Sequence, residues 1–242
     1  MLYNFGKAQK GIGMPKQSKD QVLFDVHNHN INLNLRDIYL HSYYTKDEEE
    51  EPGVDYRQAT TFIKNLWILD QPVGSQKTHP PILVHIHSIG GCWDNGMAIF
   101  NSIRATTSDV RMLAYSQASS MSGVIFQAAD YRIMMPDCHF LMHHGDVGYI
   151  TGHPFSAKTS ADFIAKACKR MLEIFAEKAV DGPYFKKRKS STVETAYNYF
   201  DKKLKEKIDW YLSAEEAVDY GLADGILGSK DYPDVHSLRG EW

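Results

Sequence analysis

The sequence predicts an α/β fold in which parallel strands are joined by crossover helices. Two observations predict it. A short apolar run over residues 82–87 stops at Ser88-Ile89-Gly90-Gly91, and helical spacing follows from Asn95 to Arg104. The alternation then repeats, with a strand over 109–115, a helix over 121–129 and a strand over 131–135. In such sheets, sites collect at the carboxyl ends of strands, where loops meet helix N-termini. Gly90-Gly91 and Ser119-Ser120 both fall at such a place.

Residues 1–20 are polar and rich in Gly and Lys, and read as a flexible arm. Apolar residues then alternate (Val22, Phe24, Val26, later Ile31, Leu33, Leu35), which predicts a strand or hairpin over 21–40. Ile38-Tyr39-Leu40 is a further short strand. The acidic run Asp47-Glu48-Glu49-Glu50-Glu51 before Pro52-Gly53 reads as a solvated turn. Ala59, Phe62, Ile63 and Leu66 predict a helix over 56–69, and 71–81 is a polar, Pro-rich loop. Residues 116–120 are expected to turn, as is Pro136-Asp137, and 140–143 is a fourth strand of the alternation. A long amphipathic helix over 157–180 carries Phe163, Ile164, Ala167, Met171, Ile174 and Phe175. It exceeds the mean globular helix of about 11–12 residues, which suits a helix that projects or packs on a partner. Residues 181–208 are basic and aromatic, and Lys186-Lys187-Arg188-Lys189 reads as a solvated loop. Ser213-Ala214-Glu215-Glu216 is a capping box opening a helix that ends at Gly221.

The chain has 242 residues, enough for one sizeable α/β domain, and no boundary demands a second. Its net charge of −3 supplies no basic field for nucleic acid or an anionic membrane. No apolar run approaches the roughly 18 residues that span a bilayer, and Met1 to Gln17 lacks the apolar core of a secretory signal. Cys92, Cys138 and Cys168 are odd in number and far apart, which fits a reducing, cytoplasmic setting. No metal or cofactor is expected. His143 and His144 are adjacent on a strand and point to opposite faces. His85 and His87 share a face but lack a third ligand, and His27-Asn28-His29 has no supporting context.

Serine is a poor nucleophile until a base takes its proton, and the base needs a third group to orient it. The developing oxyanion needs preorganised backbone N–H donors. Ser120 stands just before an apolar helix, with the Met121 N–H free at the helix start. Gly91 lies on the preceding strand-to-helix turn, where the missing Cβ permits close approach. No G-x-S-x-G elbow surrounds Ser120. From these local features alone, Ser120 is a helix cap or a nucleophile.

Four motifs in order resemble the proteolytic subunit of the Clp protease. They are Ser88-Ile89-Gly90-Gly91 with Gly96-Met97-Ala98-Ile99, then Gln117-Ala118-Ser119-Ser120-Met121, then Met142-His143-His144, then the run from Asp209 to Asp224. The resemblance spans roughly residues 35–228. It implies a repeated ββα superhelix of the kind shared with the crotonases, with a projecting handle helix. The peptidase domain would occupy 21–230, with a handle region at 148–180 and an insertion at 181–205, and 231–242 would be a tail. It implies an ATP-dependent serine endopeptidase with Ser120 as nucleophile, His143 as general base and Asp209 as orienting acid. Gly91 and Met121 would supply the oxyanion N–H groups, and Gly148, Tyr149, Ile150 and Thr151 would pair with an extended peptide. It further implies a homo-oligomeric ring, a heptamer or a stacked tetradecamer, fed with unfolded protein by an AAA+ unfoldase. Departures stand at His87, Ile89, Ser116, Ser119, Gly145 and Ile208, where the family usually has Asn, Pro, Gly, Ala, Pro and Arg. They leave open a catalytically silent ring subunit and a viral head-maturation peptidase. A crotonase-type acyl-CoA enzyme shares the architecture but commonly uses carboxylates at the reacting centre.

Overall fold

The apolar run at 82–87 forms β3 (Ile82–Ser88) in the middle of the sheet. Every β3 residue except His87 is buried, so both faces of the strand are covered, and a strand covered on both faces reads as a continuous apolar run. The computed structural model describes residues 16–41, 53–73, 78–145, 153–188 and 191–240. From β3 the sheet extends through β2 (Asp37–His41) to β1 (Ile31–Asn32) on one side. On the other it extends through β4 (Val110–Ser119) and β5 (Tyr131–Met134) to β8 (Gly225–Ile226). Pairing is parallel from β2 to β8, as the strand–helix alternation requires, while β1 runs antiparallel to β2. A branch leaves the far half of β4, where β6 (His139–Met142) pairs in parallel and β7 (Trp210–Ser213) pairs antiparallel to β6.

One face of the sheet presents Ile38, Leu40, Val84, Ile86, Met112, Ala114 and Met134 to the main core, all buried. The core is completed by α2 (Tyr56–Leu69), α3 (Trp93–Arg104), α4 (Met121–Phe126) and the buried half of α5 (Pro154–Ala179). Each such Leu or Ile removed from water contributes about 1.5–3 kcal/mol. The opposite face carries Leu83, Leu113 and Ile133, and Leu238 covers them. The next residue, Arg239, is fastened by hydrogen bonds of 3.2 and 2.8 Å to the fully buried Asp37.

Two expectations fail. Residues 19–29 form a helix, α1 (Lys19–His29), rather than a strand. The Val22/Phe24/Val26 alternation is too short to outweigh the local signals. Ser18 caps the start by accepting from the Gln21 N–H, and Asn30 ends the helix at φ 57°. Residues 116–119, expected to turn, continue β4. Gln117, Ala118 and Ser119 pair with His139, Phe140 and Leu141, so tertiary pairing overrides a polar, turn-prone run.

Within 181–208 lie two helices, α6 (Pro183–Lys186) and α7 (Val193–Lys207). Thr192 and Thr195 cap α7 reciprocally, and Ala196, Phe200 and Leu204 bury its inner face. Tyr184, Phe185, Tyr199, Phe200, Trp210 and Tyr220 form one aromatic cluster, with the Tyr199 and Tyr220 hydroxyls 3.0 Å apart. That cluster ties α6 and α7 to the start of β7. The Ser213 capping box opens α8 (Ala214–Asp219) as expected. Beyond α8, Asp224 accepts from Arg132 at 2.6 and 2.9 Å, which locks this end of the chain to β5. The run at 47–51 and Lys189 lie outside the described residues.

Candidate active site

Beyond β3 the backbone turns through Gly90 at φ 102° and Gly91 at φ 142°, a region that favours glycine. A Cβ on Gly90 would stand 2.6 Å from the Ser120 Cβ and 2.8 Å from the Met121 nitrogen. A Cβ on Gly91 would strike the backbone of Val54. Val54 donates its N–H to the Gly90 carbonyl at 2.5 Å and accepts from the Cys92 N–H at 2.9 Å. That bridge leaves the Gly91 N–H on the opposite side of the turn, and among the described residues it forms no hydrogen bond.

Ser120 sits between β4 and α4 at φ 54° and ψ −125°, a strained position that costs of order 1–3 kcal/mol. Its N–H donates to the Leu141 carbonyl at 3.0 Å, and its carbonyl accepts from Gly123 at 3.0 Å. Its side chain forms no cap hydrogen bond, so the hydroxyl is not used to start the helix. The Met121 N–H, first of α4, has no intrahelical partner. Ser122 braces the turn from beneath. Its buried Oγ lies 2.7 Å from the Ser88 carbonyl and 2.6 Å from the Ser119 carbonyl.

The Ser120 Oγ is 2.6 Å from the His143 Nε2, and the His143 Nδ1 is 3.0 Å from the Asp209 Oδ1. Sheet register explains the second contact. Met142 of β6 faces Trp210 of β7, so the next residues outward, His143 and Asp209, are neighbours. Asp209 follows a γ-turn centred on Ile208 (φ 64°, ψ −71°), closed by its N–H donating to the Lys207 carbonyl at 2.8 Å. The His143 side chain is 19% exposed and that of Asp209 is 52% exposed, so the acid is half in water while the base is largely enclosed. An Nδ1–H facing the carboxylate leaves Nε2 free to accept the serine proton.

A cavity of about 440 Å³ opens beside Ser120. Gly91, Met121 and His143 form one wall, and Phe163, Ile164, Ala167 and Met171 of α5 form an apolar wall opposite. A second cavity, about 390 Å³, adjoins His143 from the side of Leu204, Ile208 and Asp209. His144 lines both, and burial lowers its pKa.

The fold therefore brings together Ser120, His143, Asp209, Gly91 and Met121, drawn from four separate stretches of chain. Gly148, Tyr149, Ile150 and Thr151 lie outside the described residues. His85 does not point to a ligand: it is buried, stacks on Tyr39 at 4.7 Å and lies 2.8 Å from the Tyr115 hydroxyl through Nδ1. Among the described residues no group of three or more His, Cys, Asp or Glu is arranged to hold a metal, and no helix is long and apolar enough to cross a membrane. Sequence reasoning missed Val54 and Ser122. Val54 acts through its backbone, which leaves no mark in residue type, and Ser122 is one hydroxyl in a Ser-rich run.

Comparison with known proteins identifies the family. The Clp protease family model matches residues 50–230. The ATP-dependent Clp protease proteolytic subunit 1 of Chlamydia caviae is 32% identical over 186 residues, covering 75% of this chain and 85% of its own length. Proteolytic subunit 2 of Pseudomonas aeruginosa is 30% identical over 180 residues, covering 74% and 79%. A solved point mutant of ClpP1 from Listeria monocytogenes superposes with a TM-score of 0.60 at 19% identity, covering 82% of this chain and 95% of its own. The expected α/β architecture is thus the fold of solved Clp proteolytic subunits, and the chain belongs to the Clp protease family.

Proposed function

We propose that this protein is a serine-type endopeptidase subunit that cleaves unfolded polypeptide by a Ser120–His143–Asp209 mechanism. The observation that carries the reading is the unbroken contact series from the Ser120 Oγ through both ring nitrogens of His143 to Asp209, at 2.6 and 3.0 Å. The Ser120 Oγ attacks the scissile carbonyl while the His143 Nε2 takes its proton. Asp209 holds the Nδ1–H and steadies the imidazolium. The carbonyl oxygen becomes an oxyanion facing the Gly91 and Met121 N–H groups, which need no reorganisation because Val54 and the α4 start already fix them. His143 then protonates the leaving amine, and water releases the acyl group from Ser120 by the same steps in reverse. The apolar wall of α5 suits a hydrophobic side chain before the scissile bond.

The wider reading is ATP-dependent work in a closed homo-oligomeric ring, a heptamer single or stacked as a tetradecamer. An AAA+ unfoldase would supply extended chains, and Gly148, Tyr149, Ile150 and Thr151 would be the residues that pair with them. The curated relatives are named ATP-dependent, and the exposed Phe155 and Phe163 on α5 offer apolar surface for a neighbouring copy. The test is hydrolysis of short fluorogenic peptides by wild type and Ser120→Ala. Loss of cleavage by at least about 10³-fold is expected, and equal hydrolysis by the two proteins overturns the assignment.

A further inference from the structure

Ser122 makes two kinds of contact. Its bond to the Ser119 carbonyl at 2.6 Å reaches back three residues, as serines near a helix start commonly do. Its 2.7 Å contact to the Ser88 carbonyl crosses 34 residues of sequence and joins the end of β4 to the end of β3. The sheet ladder does not hold the two strands there. Ile86 pairs with Ala114 but Ser88 pairs with Ala118, so the register slips just before the site. The turns that follow lie against each other, since a Cβ on Gly90 would stand 2.7 Å from the Ser119 carbonyl oxygen. Three buried serines fill this junction: Ser88 and Ser122 are fully buried and Ser119 is nearly so. The Gly90 N–H donates to the Ser88 Oγ at 3.2 Å, and the Ser119 N–H donates to the Ser122 Oγ at 3.1 Å. A hydroxyl has a single proton, so Ser122 shares its own between the Ser88 and Ser119 carbonyls.

We infer that Ser122 is a positioning residue whose hydroxyl, acting through Ser88, sets the spacing between the Ser120 Oγ and the Gly91 N–H. These bonds run from the turn that carries Gly91 to the residue before Ser120, across the place where the ladder slips. Alanine at 122 removes the bridge to Ser88 and deprives the buried Ser119 N–H of its acceptor. The two turns then shift against each other. Such a shift weakens the hold on the oxyanion, which forms only in the transition state. The apolar wall of Phe163, Ile164, Ala167 and Met171 belongs to α5 and stays in place, so binding of the uncleaved peptide is unaffected.

The consequence for cleavage rests on the peptidase reading, but the bridge itself does not. Full-length wild type, Ser122→Ala, Ser88→Ala and the double variant are compared on a short fluorogenic peptide. Ser122→Ala should lower kcat by roughly 10–100-fold and leave KM within about twofold of wild type. Affinity for a peptide boronate, whose tetrahedral adduct places an oxygen where the oxyanion forms, should fall by the same factor, while affinity for the product peptide holds. Ser88→Ala keeps the main-chain carbonyl but removes the acceptor of the Gly90 N–H, so its loss of kcat should be smaller. The double variant should lose less than the product of the two single losses, because both act on one junction. Unchanged kcat in Ser122→Ala, a rise in KM with kcat held, or single losses that multiply in the double variant overturns the inference. If Ser122→Ala does not fold, Ser88→Ala carries the same comparison of kcat with KM. If wild type takes no fluorophosphonate on Ser120, the nucleophile assignment fails instead, and hydrogen exchange decides the bridge. Exchange at Gly90 and Gly91 should quicken in Ser122→Ala while residues 82–86 of β3 keep their protection, and equal exchange at the two glycines overturns it.

Discussion

The two ends of the candidate triad are built differently. At the nucleophile end, Ser120 is held by backbone on every side: Leu141 binds its N–H, Gly90 leaves no room for a Cβ, and Val54 pins the Gly90–Gly91 turn. At the acid end, Asp209 is 52% exposed and depends on a single strained γ-turn and the β6–β7 register. An ion pair that is half in water is screened and contributes little to stability. The proposed nucleophile and oxyanion donors are therefore set by packed main chain, whereas the proposed acid is an adjustable part, and substitutions at the two ends should separate by orders of magnitude.

The largest expected effect is at Ser120. Ser120→Ala should lower kcat/KM for a short peptide by about 10⁵–10⁶-fold with the fold intact by circular dichroism. A fall of less than tenfold would break the comparison at its rigid end. Next comes Gly90→Ala, whose added Cβ would meet that of Ser120 at 2.6 Å. Displacing the nucleophile and the Met121 N–H should cost about 10²–10³-fold in kcat, measured on the same peptide. Wild-type activity in this variant would mean the turn is not the rigid support described.

Much of this site is legible in the sequence, and the reasons are specific. Gly90-Gly91, Ser120, His143 and Asp209 stand out through the four ordered motifs that resemble the Clp proteolytic subunit, whereas local features alone leave Ser120 a helix cap or a nucleophile. The strand–helix alternation from 82 to 135 is legible because central parallel strands read as apolar runs. The role of Val54 is not legible, since any residue presents the same N–H and carbonyl. Residues 19–29 mislead because three alternating apolar residues imitate a strand while the deciding signals are Ser18 and Asn30 at the ends. Residues 116–119 mislead because polar residues extend β4 only once β6, more than 15 residues later, comes to lie beside them.

The acid end gives the smaller effects. Asp209→Asn should reduce kcat/KM by about 10²-fold, well short of the roughly 10⁴-fold seen where the acid of such a triad is buried. A loss as large as that of Ser120→Ala would erase the proposed difference between the two ends. Smallest is Ile208→Gly. The β-branched Ile208 sits at φ 64°, so glycine should relieve strain and raise stability by about 1 kcal/mol, read as a higher denaturant midpoint. A lower midpoint would show that the γ-turn is not strained.

The most direct measurement of the central claim is the site of covalent capture. A fluorophosphonate probe is reacted with the folded protein and the labelled peptide is identified by mass spectrometry. One label is expected, on Ser120, slowed strongly in His143→Ala and only modestly in Asp209→Asn. A label on any other serine, or none at all on natively folded protein, would contradict the account.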